Sequence, residues 1–186
     1  MVISGTTLTT EEIRSKMLRN SRSTINQLGK SVLSLEATEE EASGAGIVLE
    51  TLDHMCIQYA LRFKFQASNN TAEYEALLVG LKLAANMGTQ YLEVFSNSQL
   101  VVNQIVDAYQ AKKEHMKSYL QRVKELIRKF QKYRVALIPR AENSKTDMLA
   151  KLTTADEDQI LRSIPIEFFT KRSINEAELV TVLLVA

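Results

Sequence analysis

Between Ser31 and Phe65 the chain passes through three extended patterns in succession, with no helical pattern between them. That succession constrains the fold most. Parallel neighbours need a crossover of a dozen or more residues, and these links are shorter. Ser31–Glu36 alternates well enough for a first strand. Gly44–Leu49 reads as a second, entered through Gly44 and Gly46, where backbones can approach closely. In the third, Cys56 to Phe65, the residues Ile57, Tyr59, Leu61, Phe63 and Phe65 share one face, with Arg62 and Lys64 on the other. An antiparallel meander is expected, with an acidic turn at Glu39-Glu40-Glu41 and a hairpin turn at Asp53-His54.

The period then changes. From Thr71 to about Met87 apolar residues recur at helical spacing through Leu78, Leu81, Ala84 and Ala85, and Gly88 follows at the position where a left-handed residue closes a helix. Tyr91–Phe95 is a fourth strand pattern, Ser98 to Ala108 a short helix and Glu114 to Gln131 a longer one. Tyr133–Ile138 is a fifth strand, stopped by Pro139, and Ser144 to Leu152 a last helix. The order βββαβααβα predicts an α/β domain with a mixed five-stranded sheet and helices on both faces. Its expected limits are residues 31–153. Residues 1–30 form a polar extension rich in Ser, Thr and Arg, and residues 154–186 a linker and tail expected to pack weakly.

Composition narrows the class. With 45% hydrophobic and 24% charged residues the chain is of globular type. The single cysteine, Cys56, excludes an intrachain disulfide and is expected at a buried strand position. The chain shows no signal-peptide plan and no membrane-length apolar run, so cytoplasm or nucleus is the expected compartment, with no membrane partner. The net charge of +1 is unevenly spread. Ala111–Arg134 carries nine cations against two carboxylates, a net of +7, which could track phosphates or simply form a solvated helix face.

Three patches carry a family resemblance: Ser68-Asn69-Asn70-Thr71-Ala72-Glu73, then Ser96-Asn97-Ser98-Gln99, then Asn143-Ser144-Lys145-Thr146-Asp147-Met148-Leu149-Ala150. Together they resemble the ribonuclease H family, in the form carried by gypsy-class retrotransposon polyproteins, over roughly Ser43 to Leu152. The loop from Pro139 to Thr146 has no histidine, and no basic protrusion is inserted after the fourth strand. The first fits the retroelement branch; the second leaves phosphate attraction to the Ala111–Arg134 helix. Ser163–Phe169 resembles the connector that leads to integrase in such polyproteins.

The resemblance implies a ribonuclease H-like fold and Mg²⁺-dependent endonucleolytic cleavage of the RNA strand of RNA/DNA hybrids, with Mn²⁺ as a possible substitute. Such chemistry needs carboxylates that hold two cations about 3.5–4 Å apart. The family supplies four acids. Glu73 falls on the second and Asp147 on the fourth. Residue by residue, Glu73 also fits a capping box with Asn70 as N-cap, and Asp147 an exposed acid in a first helical turn. Asn97 stands where the family has aspartate; it is nearly isosteric but carries no charge. The first acid falls on Glu36, or Leu35 takes the slot if the loop is one residue longer. Glu75, about 200° round the helix from Glu73, cannot share the site.

The metal ligands implied are therefore Glu73, Asp147 and Glu36, weakly binding. Ser68, Asn69, Asn70, Ser98 and Gln99 match the polar residues that grip a hybrid or other double-stranded nucleic acid across its minor groove. Cleavage is expected to be weak or absent. Two alternatives stand beside it: a non-catalytic nucleic-acid-binding module, and a decayed retroelement product without function.

Overall fold

The structure, a computed structural model, describes residues 29–37, 44–52, 55–143 and 166–175. Strands β1 (Lys30–Ala37), β2 (Gly44–Thr51) and β3 (Cys56–Phe63) form the antiparallel meander. After helix α1 (Asn69–Asn86), strand β4 (Tyr91–Ser96) returns parallel to β1, since a helical crossover reverses the chain twice. Helices α2 (Gln99–Ile105) and α3 (Glu114–Ile127) lead to β5 (Lys132–Leu137), parallel to β4. The helix expected over Ser144 to Leu152 lies outside the described residues, as do the turns at Glu39–Glu41 and Asp53-His54 and the extension before Gly29.

The sheet has six strands rather than five, ordered β5-β4-β1-β2-β3-β6. The sixth, β6 (Ile166–Phe169), comes from the tail expected to pack weakly. It pairs parallel with β3, Ala60 opposite Ile166 and Phe63 opposite Phe169. A four-residue strand is too short to announce itself by period. What holds it is tertiary: Phe169 lies against Phe63 with centroids 5.8 Å apart, while the exposed Phe168 receives Lys64 over its ring at 5.1 Å. Cys56 is exposed, not buried, because it opens β3 where the strand has little cover.

Helix α1 lies across the sheet, and its glycine sets the distance. A Cβ on Gly80 would stand 2.6 Å from Leu33 Cδ1, so a larger residue there would have to displace the buried Leu33 side chain. Leu33, Leu35, Ile47 and Leu49 of the sheet and Leu77, Leu78 and Leu81 of the helix are fully buried or nearly so. From Thr71 to Leu78 every residue of α1 is buried, because α3 covers the side turned away from the sheet. Tyr74 stacks on Tyr119 of α3 at 5.5 Å, and its hydroxyl donates to Gln104 Oε1 at 2.6 Å. The helix is capped by Ser68, whose hydroxyl accepts from Thr71 N at 3.2 Å, not by Asn70. Gly88 closes it with φ +74°.

Glu75 is the buried acid whose role the sequence does not announce. It is fully buried on the α3 side of α1. Tyr119 OH donates to its Oε1 at 2.5 Å, Ser173 N donates to the same oxygen at 2.8 Å, and Ser173 Oγ donates to Oε2. The residues after β6 therefore satisfy a carboxylate in the core. Burial pushes the Tyr74 phenol above its usual 10.0. Burial does the same to Tyr119, reinforced by the Glu75 carboxylate and partly opposed by Arg172.

An unfolded chain releases these two phenolic protons above pH 10, whereas the folded one keeps them. Their contribution is intact below pH 10 and is lost as pH rises beyond it. Tyr119→Phe is expected to lower unfolding free energy at neutral pH by about 1–3 kcal/mol, through the donor lost to buried Glu75. It should also make the decline above pH 10 shallower. Urea titrations across this range measure both.

Candidate functional site

The site is built at the carboxyl ends of two parallel strands, where open α/β sheets place their ligands. Leu35 of β1 pairs with Ser96 of β4, so Glu36, still paired with Gly46 of β2, stands beside Asn97 just past the end of β4. Alternation decides which residue of β1 faces what. Leu35 belongs to the apolar core beneath α1, and Glu36 points to the other face. Glu36 is completely buried, yet Asn97 Nδ2 donates to its Oε1 at 2.7 Å. Asn143, itself buried, donates through Nδ2 to Glu36 Oε2 at 3.0 Å and to the Leu35 carbonyl at 2.9 Å.

Glu73 reaches the same strand ends from α1. Its Oε1 accepts from Ala37 N at 2.7 Å and its Oε2 from Ser96 Oγ at 2.9 Å. With Ser68 as the cap, Glu73 lies beyond the first helical turn and takes no part in a capping box. Ser96 Oγ in turn accepts from Ser98 N at 3.0 Å. Glu36 and Asn97 thus meet directly and Glu73 bonds to their chain neighbours Ala37 and Ser96, whereas Glu75 turns away as its helical angle requires. Asp147 lies outside the described residues.

The polar residues of the rim are gathered by one contact. Ser98 Oγ donates to Asn70 Oδ1 at 3.3 Å, which brings the start of α1 against the start of α2. Ser98 also caps α2, accepting from Val101 N at 3.2 Å. Ser68, Asn69 and Gln99 are exposed beside them. Two contributors are missed by reading for acids alone: Ser96, immediately before Asn97, and Asn143, which sits inside the third patch.

Among the described residues the set is two carboxylates and one neutral amide, poorer in anionic charge than the family's four acids, and Asp147 lies outside it. Mg²⁺ sites use anionic and carbonyl oxygens turned inward. Here both oxygens of Glu36 and both of Glu73 already accept hydrogen bonds, and Asn97 turns an N–H₂ group, not an oxygen, towards Glu36. Among the described residues no three Asp, Glu, His or Cys cluster as metal ligands would.

Beyond the far end of α2 an open hollow of about 770 Å³ lies between the Asp107–Ala111 segment and α3. Lys117, Lys124, Arg128, Tyr109, Asp107 and Glu125 are among its lining residues. Lys124 pairs with Asp107, and Lys117 with Glu114 at 2.7 Å. Seven of the nine cations of the basic block are exposed. No described helix is long and apolar enough to cross a membrane.

Sheet order, crossover helix and carboxylates at the ends of β1 and α1 define a domain of ribonuclease H fold. The model of the reverse transcriptase-like family matches residues 29–153, and the chain belongs to that family. It is similar to ribonuclease HI of Halobacterium salinarum, 35% identical over 85 residues, which are 46% of this chain and 43% of the relative. The chain thus spans less than half the length of that curated relative. The crystal structure of ribonuclease H1 from the same archaeon superposes with a TM-score of 0.63 at 27% identity, covering 68% of this chain and 98% of that one. LC11 ribonuclease H1, solved in complex with an RNA/DNA hybrid, superposes with a TM-score of 0.58 over 64% of this chain and 92% of that one. At 23% identity that likeness is one of fold.

Ser96→Ala removes the hydroxyl that joins Glu73 to the amide of Ser98. It is expected to destabilise the domain by about 1–3 kcal/mol, since a buried carboxylate oxygen loses its donor. The urea midpoint reads this, with an unchanged m-value showing that the rest of the fold is intact.

Proposed function

We propose that this chain is a retroelement-derived ribonuclease H-like domain that binds RNA/DNA hybrid and has lost most or all of its hydrolytic activity. Ser68, Asn69, Asn70, Ser98 and Gln99 are the proposed contacts to the minor groove, where 2′-hydroxyls distinguish RNA from DNA. Amide and hydroxyl groups suit that task because they both donate and accept. The basic hollow one short helix away, flanked by Arg128 and Lys117, is the proposed phosphate track. The similarity to ribonuclease HI of Halobacterium salinarum, 35% identical over 85 residues, supports the same class of ligand.

One observation carries the loss of activity: the side chain at 97 donates a hydrogen bond to Glu36, where the family's aspartate would add an anionic oxygen. A unit charge removed from about 4 Å is worth about 4 kcal/mol at an effective dielectric of 20, and more towards a divalent ion before desolvation is subtracted. A loss of even about 3 kcal/mol in the transition state is over a hundredfold in rate. Cleavage would further require Asp147 as a ligand. Mg²⁺, or Mn²⁺ in its place, is the family's cofactor and would bind this chain weakly.

The wild-type chain should bind a labelled hybrid in anisotropy titrations and lose affinity with salt. Three phosphate contacts would give about a 40-fold loss between 50 and 200 mM. In a cleavage assay with Mg²⁺ or Mn²⁺ it should be at least about a hundredfold slower than Asn97→Asp. Equal rates for the two chains would refute the impaired site, and the absence of binding at low salt would refute the hybrid-binding reading.

A further inference from the structure

We infer that Asn97 and Asn143 act as built-in substitutes for a cation, so that the Glu36 site is assembled without metal. The inference rests on the reading of Glu36, Glu73 and Asn97 as the family site, and it assigns Asn143 a positioning role. Glu36 is fully buried at the end of β1. A buried carboxylate must be met by positive charge or by hydrogen-bond donors. An amide nitrogen meets each of its oxygens: Asn97 Nδ2 at 2.7 Å on Oε1 and Asn143 Nδ2 at 3.0 Å on Oε2. The orientation of each amide is dictated by chemistry. An ionised carboxylate only accepts, so an amide beside it must present its nitrogen.

An aspartate at 97 would set two anionic oxygens against each other at hydrogen-bond range. That arrangement needs a cation or a proton between them. The amide removes the need, because its N–H₂ carries the partial positive charge covalently. Asn143 completes the bracket from the far side and ties the same residue to the β1 backbone through the Leu35 carbonyl. Three parts of the chain, β1, the end of β4 and the segment after β5, are thereby joined at one carboxylate. In a site that depended on cations, that junction would loosen whenever they left.

The test compares melting temperatures in EDTA and in about 5 mM Mg²⁺ without nucleic acid, so it does not depend on whether hybrid binds. The wild-type chain is expected to melt within about 1 °C under both conditions. Asn97→Asp should fall by about 5 °C or more in EDTA and recover at least half of that with Mg²⁺. The double variant Glu36→Gln/Asn97→Asp exchanges donor and acceptor while keeping the net charge. The introduced glutamine can then donate to the introduced aspartate and accept from Asn143. The double variant should therefore return to within about 2 °C of wild type in EDTA and ignore Mg²⁺. Asn143→Asp should show the same fall in EDTA as Asn97→Asp. Three results would overturn the inference: a Mg²⁺-induced rise in the wild type as large as that of Asn97→Asp, an Asn97→Asp chain as stable as wild type in EDTA, or a double variant that is not rescued. If Asn97→Asp does not fold in EDTA, the double variant decides alone.

Discussion

The parallel pairing of β1 with β4 is the contact on which the remainder depends. Its register, Leu35 against Ser96, sends Leu35 into the core under α1 and leaves Glu36 and Asn97 adjacent at the strand ends. A slip of one residue would exchange the two faces and place a carboxylate in the apolar layer. Gly80 holds α1 close enough over β1 for Glu73 to reach the Ala37 amide and the Ser96 hydroxyl. Site and core are consequences of one alignment, since the same strand serves both with alternate residues.

Two acids two residues apart on α1 illustrate how burial assigns roles. Glu73 and Glu75 are both buried, and neither is exposed to bulk water. Glu73 is met by donors from the strand ends, and Glu75 by a tyrosine of α3 and the serine that follows β6. The first is where ribonuclease H chemistry would take place. The second ties residues beyond the family match into the core. A buried carboxylate costs several kcal/mol unless it is hydrogen-bonded, so the tail's attachment is structural rather than incidental.

The electrostatics of the site follow from one uncharged residue. With Asn97 in place the meeting point of β1, α1 and β4 holds carboxylates answered by N–H and O–H groups. In the proposed reading such a surface would hold its shape without gathering divalent cations. The rim of amides and hydroxyls, and the basic face of α3, are untouched by that change. In the proposed reading recognition and hydrolysis are separable because they would draw on different residues.

The meander, the crossover to β4, the closing glycine of α1 and the neutrality of position 97 were all legible in the order of the residues. They rest on period, turn chemistry and spacing, which are local properties. Which of Leu35 and Glu36 faces the core was not local: it needed the register with β4, which two distant segments set together. The sixth strand, the exposure of Cys56, the Glu75–Tyr119–Ser173 contact and the amide bracket on Glu36 likewise emerged only in three dimensions. Each depends on which donor or ring arrives from far along the chain, and no periodicity encodes an arrival.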